Sequence, residues 1–89
     1  MIARRVVVHG QVQGVFFRAE CRRAAHEAGV AGWVRNLPDG TVEAFFEGPD
    51  ESVARMVDWA QHGPPHAAVD RVEVTDEPPA GRTGFAITY

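Results

Sequence analysis

The amino-acid sequence predicts an α/β sandwich: a mostly antiparallel five-stranded sheet with two helices on one face. Three observations predict it. Stretches of period-2 alternation and stretches of helical spacing follow one another as strand, helix, strand, strand, helix, strand, strand. Turn-forming stretches separate them at Gly10–Gly14, Leu37–Gly40, Gly63–Pro65 and Pro78–Gly81. A chain of 89 residues has room for one hydrophobic core, which both helices must share with the sheet.

Val6-Val7-Val8 is a β-branched run and reads as the first strand, ending in the glycine-bearing stretch Gly10 to Gly14. Phe17, Cys21, Ala24, Ala25 and Ala28 then recur at i, i+4, i+7, i+8 and i+11, an apolar stripe on a helix whose other face carries arginines and glutamates. Gly29 is placed to stop that helix. Val30 to Asn36 reads as the second strand, and Leu37-Pro38-Asp39-Gly40 as a turn. Thr41 to Glu47 alternates, with Val42, Ala44 and Phe46 on one face and Thr41, Glu43 and Glu47 on the other. Gly48-Pro49-Asp50-Glu51 opens a second helix with acids suited to its N-terminus, and Val53, Met56, Val57 and Ala60 form its buried stripe up to Gly63-Pro64-Pro65. Val72 and Val74 alternate with Arg71, Glu73 and Thr75 in a fourth strand; Phe85, Ile87 and Tyr89 alternate in a fifth.

This order fits the split βαβ, ferredoxin-like arrangement, in which the first two strands run parallel with the third between them. Residues 1–89 are expected to form a single domain. Parallel strands end on the same rim of a sheet, so the loop after the first strand and Asn36 at the end of the second should meet in space.

Composition narrows the function. A net charge of −3 argues against broad, sequence-independent binding to nucleic acid. All nine cations are arginines, so a Walker-type phosphate loop and a lysine Schiff base are excluded. The one serine, Ser52, lacks the G-x-S-x-G context of a hydrolase nucleophile. A single cysteine forms no internal disulfide, which points to a reducing cytoplasm; the start Met1-Ile2-Ala3-Arg4-Arg5 is followed by too few apolar residues for an export signal, and no window approaches a membrane span.

At the expected meeting point, Gly10 and Gly14 let the backbone turn and approach a ligand, and the loop runs straight into a helix whose free N–H groups favour an anion. Arg18 falls in the first helical turn, where a cation opposes the dipole unless a bound anion reverses the balance. Taken on spacing alone, these residues also describe a plain glycine turn with a solvated arginine, and Asn36 also describes a turn-initiating asparagine. Other groupings carry less. His62 and His66 are separated by Gly63-Pro64-Pro65, Cys21 and His26 do not share a helical face, and no cluster has zinc-ligand spacing. Cys21 lies on the apolar stripe and reads as core, Trp33 and Trp59 as packing residues. Phe16 and Phe17 lie in a loop and a helix start, not paired on a sheet face as an RNA-binding module needs.

Gly10-Gln11-Val12-Gln13-Gly14-Val15-Phe16-Phe17-Arg18 and Gly32-Trp33-Val34-Arg35-Asn36-Leu37-Pro38-Asp39-Gly40-Thr41-Val42-Glu43 resemble the two signature motifs of the acylphosphatase family. The resemblance extends to Glu47-Gly48-Pro49 and to the closing Phe85-Ala86-Ile87-Thr88-Tyr89, and no motif position departs from the family pattern. It implies a ferredoxin-like sandwich and hydrolysis of the carboxyl–phosphate anhydride of acyl phosphates. It implies Arg18 and Asn36 as the catalytic pair and a phosphate cradle from Gly10 to Phe17, with Gln13, Gly14, Val15, Phe16 and Phe17 binding substrate mainly through backbone N–H groups. It implies no metal and no organic cofactor.

The implied chemistry suits these residues. The leaving group is a carboxylate whose acid has a pKa of about 4–5, so no general acid is needed. Phosphoryl transfer through a loose transition state asks for positioning and charge stabilisation, which an arginine, backbone amides and a water-holding asparagine can supply. Two alternatives stand beside this reading: a non-catalytic anion-binding regulatory module on the same fold, which intact Arg18 and Asn36 argue against, and an RNA-binding domain, which the acidic balance argues against. The small-molecule substrate is expected to meet a monomer, with neither nucleic acid nor membrane as partner.

Overall fold

A computed structural model describes residues 1–89. The elements are β1 (Ile2–Gln11), α1 (Phe17–Ala28), β2 (Ala31–Asn36), β3 (Val42–Gly48), α2 (Asp50–His62), β4 (Ala68–Glu77) and β5 (Phe85–Ile87). The five strands form one sheet in the order β4-β1-β3-β2-β5. β1 and β2 each pair antiparallel with β3, so they run parallel to one another, as the split βαβ arrangement requires. β5 pairs parallel with β2, which makes the sheet mixed. The ferredoxin-like α/β sandwich expected from the pattern is the fold observed.

Both helices cover one face. Val6 and Val8 of β1, Val34 of β2, and Val42, Ala44 and Phe46 of β3 meet Phe17, Cys21 and Ala25 of α1 and Val53, Met56 and Ala60 of α2 in a core of 15 buried residues. Each helix contributes the stripe its spacing predicts, except that Ala24, Ala28 and Val57 lie at its margin and are only partly buried. Cys21 is core, as expected, and burial pushes its thiol pKa far up, which keeps it a neutral, unreactive thiol. At the end of α1, Gly29 adopts a left-handed conformation; its N–H donates to His26 O, and the N–H of Val30 to Ala25 O.

The outer face of the sheet is less polar than the alternation of β3 suggests. All seven residues of β3 are buried, including both glutamates. Glu43 is 8% exposed and lies between two arginines: Arg5 donates to Oε2 at 3.1 Å and Arg35 to Oε1 at 2.8 Å. Trp33 stacks on Phe45, ring centroids 6.1 Å apart, with the Arg35 guanidinium over the indole. Glu47 is 4% exposed and accepts the backbone N–H groups of Ala80, Gly81 and Arg82, pinning the loop before β5. A central strand has neighbours on both edges, and here a loop covers its outer face as well. A buried carboxylate is tolerable only when its oxygens are engaged in this way.

Candidate active site

β1, β2 and β5 all end on one rim of the sheet, beside the N-terminus of α1. There a cavity of about 300 Å³ is lined by Val12, Gly14, Phe16, Phe17, Arg18, Ala19, Asn36, Ile87 and Tyr89. The expected convergence of the loop with Asn36 is therefore present. Of the seven residues expected in the site, Gly14, Phe16, Phe17, Arg18 and Asn36 line the cavity; Gln13 and Val15 do not.

The side chain of Gln13 braces the loop. Its Nε2 donates to Leu37 O at 2.8 Å and to Thr41 O at 2.9 Å, tying the loop to the β2–β3 turn. That turn is itself closed, because Leu37 N–H donates to Thr41 O and Asp39 Oδ1 accepts both the N–H and the hydroxyl of Thr41. These bonds hold the Asp39 carboxyl below its usual pKa range. Asn36 is thus presented between a strand and a closed turn, on a carrier bolted to the loop opposite. Val15 packs on the edge of the core.

The loop is shaped by its backbone. Gly14 has φ 75° and Phe16 has φ 62°, the one non-glycine residue at positive φ in the chain. A bulky residue held there costs about 1–3 kcal/mol, a strain typical of functional loops. Phe16 is also the N-cap of α1, and no side chain caps the helix. The first bond running into the helix is from Glu20 N–H to Phe16 O, so the N–H groups of Phe17, Arg18 and Ala19 precede the ladder and have no intrahelical acceptor. The ring of Phe17 turns inward against Trp59, centroids 5.2 Å apart, which seats the helix start on the core.

Arg18 is the only charged side chain among the lining residues. Arg4, Arg5, Arg23, Arg35 and Arg71 are held in ion pairs with carboxylates. Arg18 instead has its guanidinium carbon 5.5 Å from the centroid of the Tyr89 ring. Glu20 shares the first turn of α1 but is bound by Arg23, whose hydrogen bond keeps its carboxyl ionised at lower pH than usual. The cavity is therefore positive, from Arg18 and from the helix end together. No group of three or more His, Cys, Asp or Glu side chains converges anywhere in the chain.

Ile87 and Tyr89 were not among the residues expected in the site. The strand motif Phe85 to Tyr89 shows in the sequence, but its place beside β2 does not. Parallel pairing of Val34 with Ile87 carries the end of β5 to the rim where Asn36 sits, so the rule that brought Asn36 to the loop would have found Ile87 had the pairing been known.

The family model described as Acylphosphatase matches residues 4–87. An acylphosphatase of Gloeobacter violaceus is 57% identical over 82 residues, covering 92% of this chain and 88% of that protein. One from Thermococcus kodakarensis is 55% identical over 80 residues, covering 90% and 88%. The crystal structure of acylphosphatase from Bacillus subtilis superposes with a TM-score of 0.96 at 37% identity, covering 100% of both chains.

Proposed function

Given that the chain belongs to the acylphosphatase family and hydrolyses acyl phosphates to a carboxylate and inorganic phosphate, we propose that Arg18 and Asn36 are its catalytic pair and that the loop into α1 is its phosphate cradle. The observation that carries this reading is the meeting of Arg18, the acceptor-free first-turn N–H groups and Asn36 on one cavity.

The transferring phosphoryl group is negative throughout the reaction, and its charge spreads over the equatorial oxygens as the bond to the carboxylate loosens. The Arg18 guanidinium grips two of those oxygens through parallel N–H donors. The N–H groups of Phe17, Arg18 and Ala19 and the loop amides from Gln13 to Phe16 bind the same group with no change in their own position, so the charge is met by dipoles set in place before the reaction. The Asn36 amide both donates and accepts, which lets it hold a water against the phosphorus, opposite the leaving oxygen. A bond then forms from water oxygen to phosphorus. The bond from phosphorus to the acyl oxygen breaks, its electron pair leaves with the carboxylate, and the water's proton passes to a phosphate oxygen. A carboxylate departs without protonation, which accounts for a cavity with no acid or base side chain.

The chain works as one unit, residues 1–89, as a cytoplasmic monomer on small substrates, without metal, cofactor or nucleic acid. A single core of 15 residues supports the one-unit reading, and a lone free cysteine supports the reducing location. No helix is long and apolar enough to cross a membrane.

Titration of the isotope-labelled protein with inorganic phosphate tests the site. The backbone amide signals of Gly14 and Phe16 to Ala19, and the side-chain amide of Asn36, should move most. Shifts centred elsewhere would reject the assignment.

A further inference from the structure

The phosphate end of the cavity accounts for Gly14, Arg18, Ala19, Asn36 and the Phe16 N–H; it leaves the side chains of Phe16, Ile87 and Tyr89, which line the same cavity and which the reaction itself does not use. Two of them are large apolar side chains held in solvent: Phe16 is 76% exposed and Tyr89 is 95% exposed. The adjacent Phe17 shows what burial looks like here, since its ring sits in the core. Phe16 gains no such burial, yet its backbone is held at positive φ, so the conformation that turns its ring outward is imposed and not chosen by packing. Ile87, half-buried at the end of β5, lines the cavity with them. Exposed aromatic side chains flanking a cavity mark a surface that an apolar group covers.

We infer that Phe16, Ile87 and Tyr89 form an acyl subsite and that the enzyme favours acyl phosphates with an apolar acyl group over small or charged ones. This rests on the reading of the phosphate site above: with phosphate at Arg18 and the helix end, the acyl group projects from it within the same cavity, which these three side chains line together with the buried Val12 and Phe17. Tyr89 touches both halves, since its ring also faces the Arg18 guanidinium. An acyl chain against Tyr89 therefore packs beside the group that grips the phosphate.

The test is a substrate series of acetyl, hexanoyl, cyclohexanecarbonyl and succinyl phosphates. The first three have leaving carboxylates of nearly equal basicity, so their kcat/KM values compare acyl contacts and not leaving-group strength. Hexanoyl and cyclohexanecarbonyl phosphates should exceed acetyl phosphate by about tenfold or more, as added methylenes in an apolar site do, and succinyl phosphate should fall below both. Ile87→Thr, which keeps a β-branched residue in the strand, and Phe16→Gly, which suits the positive φ, should each lower the hexanoyl-to-acetyl ratio. Because the ratio is read within one variant, a general loss of activity cannot mimic the effect. Inorganic phosphate should inhibit Ile87→Thr as it inhibits the wild type. A flat series, or a ratio unchanged in both variants, in an enzyme that Arg18→Ala inactivates overturns the acyl subsite and leaves the phosphate site standing. Wild-type turnover by a folded Arg18→Ala enzyme overturns the phosphate site and this inference with it.

Discussion

The Arg18 guanidinium faces the ring of Tyr89 at 5.5 Å, so a helix-start arginine is held by the last residue of the sequence given. No carboxylate binds it, although other arginines in this acidic chain are bound in that way. An aromatic face steadies a cation by about 0.5–1 kcal/mol at an exposed position without neutralising it. The charge stays available for an anion, whereas a carboxylate partner would have to be displaced first.

Arg18 should not tolerate replacement by lysine. Arg18→Lys keeps the charge and loses the planar fork; Arg18→Ala loses both. Steady-state kinetics should show kcat/KM lower by about 10²-fold or more in each, about 3 kcal/mol in transition-state stabilisation. Competitive inhibition by phosphate should weaken in both. Thermal stability should change little, because the cation opposes the α1 dipole in the free protein. Near-wild-type kcat/KM in a folded Arg18→Lys enzyme would show that charge alone is what this position supplies.

Asn36→Ala should separate turnover from binding. Loss of the water-holding contact lowers kcat by roughly 10²–10³-fold, while the phosphate inhibition constant moves far less, since Arg18 and the helix amides remain. Circular dichroism should report an intact fold, because Asn36 ends β2 outside the core cluster. Normal kcat in the folded variant would remove Asn36 from the chemistry.

Hydrolysis should be indifferent to chelators. The lining residues offer a phosphate no carboxylate or imidazole side chain that would share a divalent ion with it. Rates measured with and without a chelator should agree within about twofold, the view being that no metal carries transition-state charge. Activity lost to a chelator and restored by magnesium or zinc would contradict this.

Gly32→Ala should unfold much of the protein. Gly32 has φ 141° and an added Cβ would lie 1.8 Å from Phe45 O, in the middle of the β2–β3 ladder. Neither backbone can yield without breaking cross-strand bonds, so the cost is about 4 kcal/mol or more, the range of an imposed backbone conformation plus a clash. Chemical denaturation would register it; a variant within about 1 kcal/mol of wild type would mean that the strands can part here at little cost.

Acid should weaken the β2–β3 turn through Asp39. Its folded pKa lies below the ordinary 3.8, because Thr41 hydrogen bonds favour the carboxylate. A depressed folded pKa gives stability that is complete above the unfolded value and is lost as pH falls through the folded one. Asp39→Asn keeps an acceptor for Thr41 and removes the titration, so its melting temperature should fall less steeply than that of the wild type from about pH 5 to pH 2. Glu20 and Glu73 titrate in the same acid range in both proteins and cancel in the comparison. Identical slopes would assign the acid dependence to other carboxylates.

The sequence by itself determined what lies close along the chain. The apolar stripes of α1 and α2, the stop at Gly29, the turn at Leu37–Gly40 and the strand character of β3 each depend on neighbours within a few residues, and each is present in the fold. Even the meeting of the Gly10–Phe17 loop with Asn36 followed, because parallel strands must end on one rim. Tertiary structure alone decided the rest. It set β5 parallel to β2, which brought Ile87 and Tyr89 into the cavity. It turned Gln13 away from the cavity toward Leu37 and Thr41, and it buried Glu43 between Arg5 and Arg35 and Glu47 under the Ala80–Arg82 backbone. Apart from Arg35 and Glu43, which face each other across the β2–β3 hairpin, these hydrogen bonds join residues 24 to 38 positions apart, and Arg18 and Tyr89 lie much further apart. Hydrophobic spacing says which face of an element is buried, but not which strand edge it meets or which polar groups wait there. That choice belongs to the closing of the whole sheet around one core.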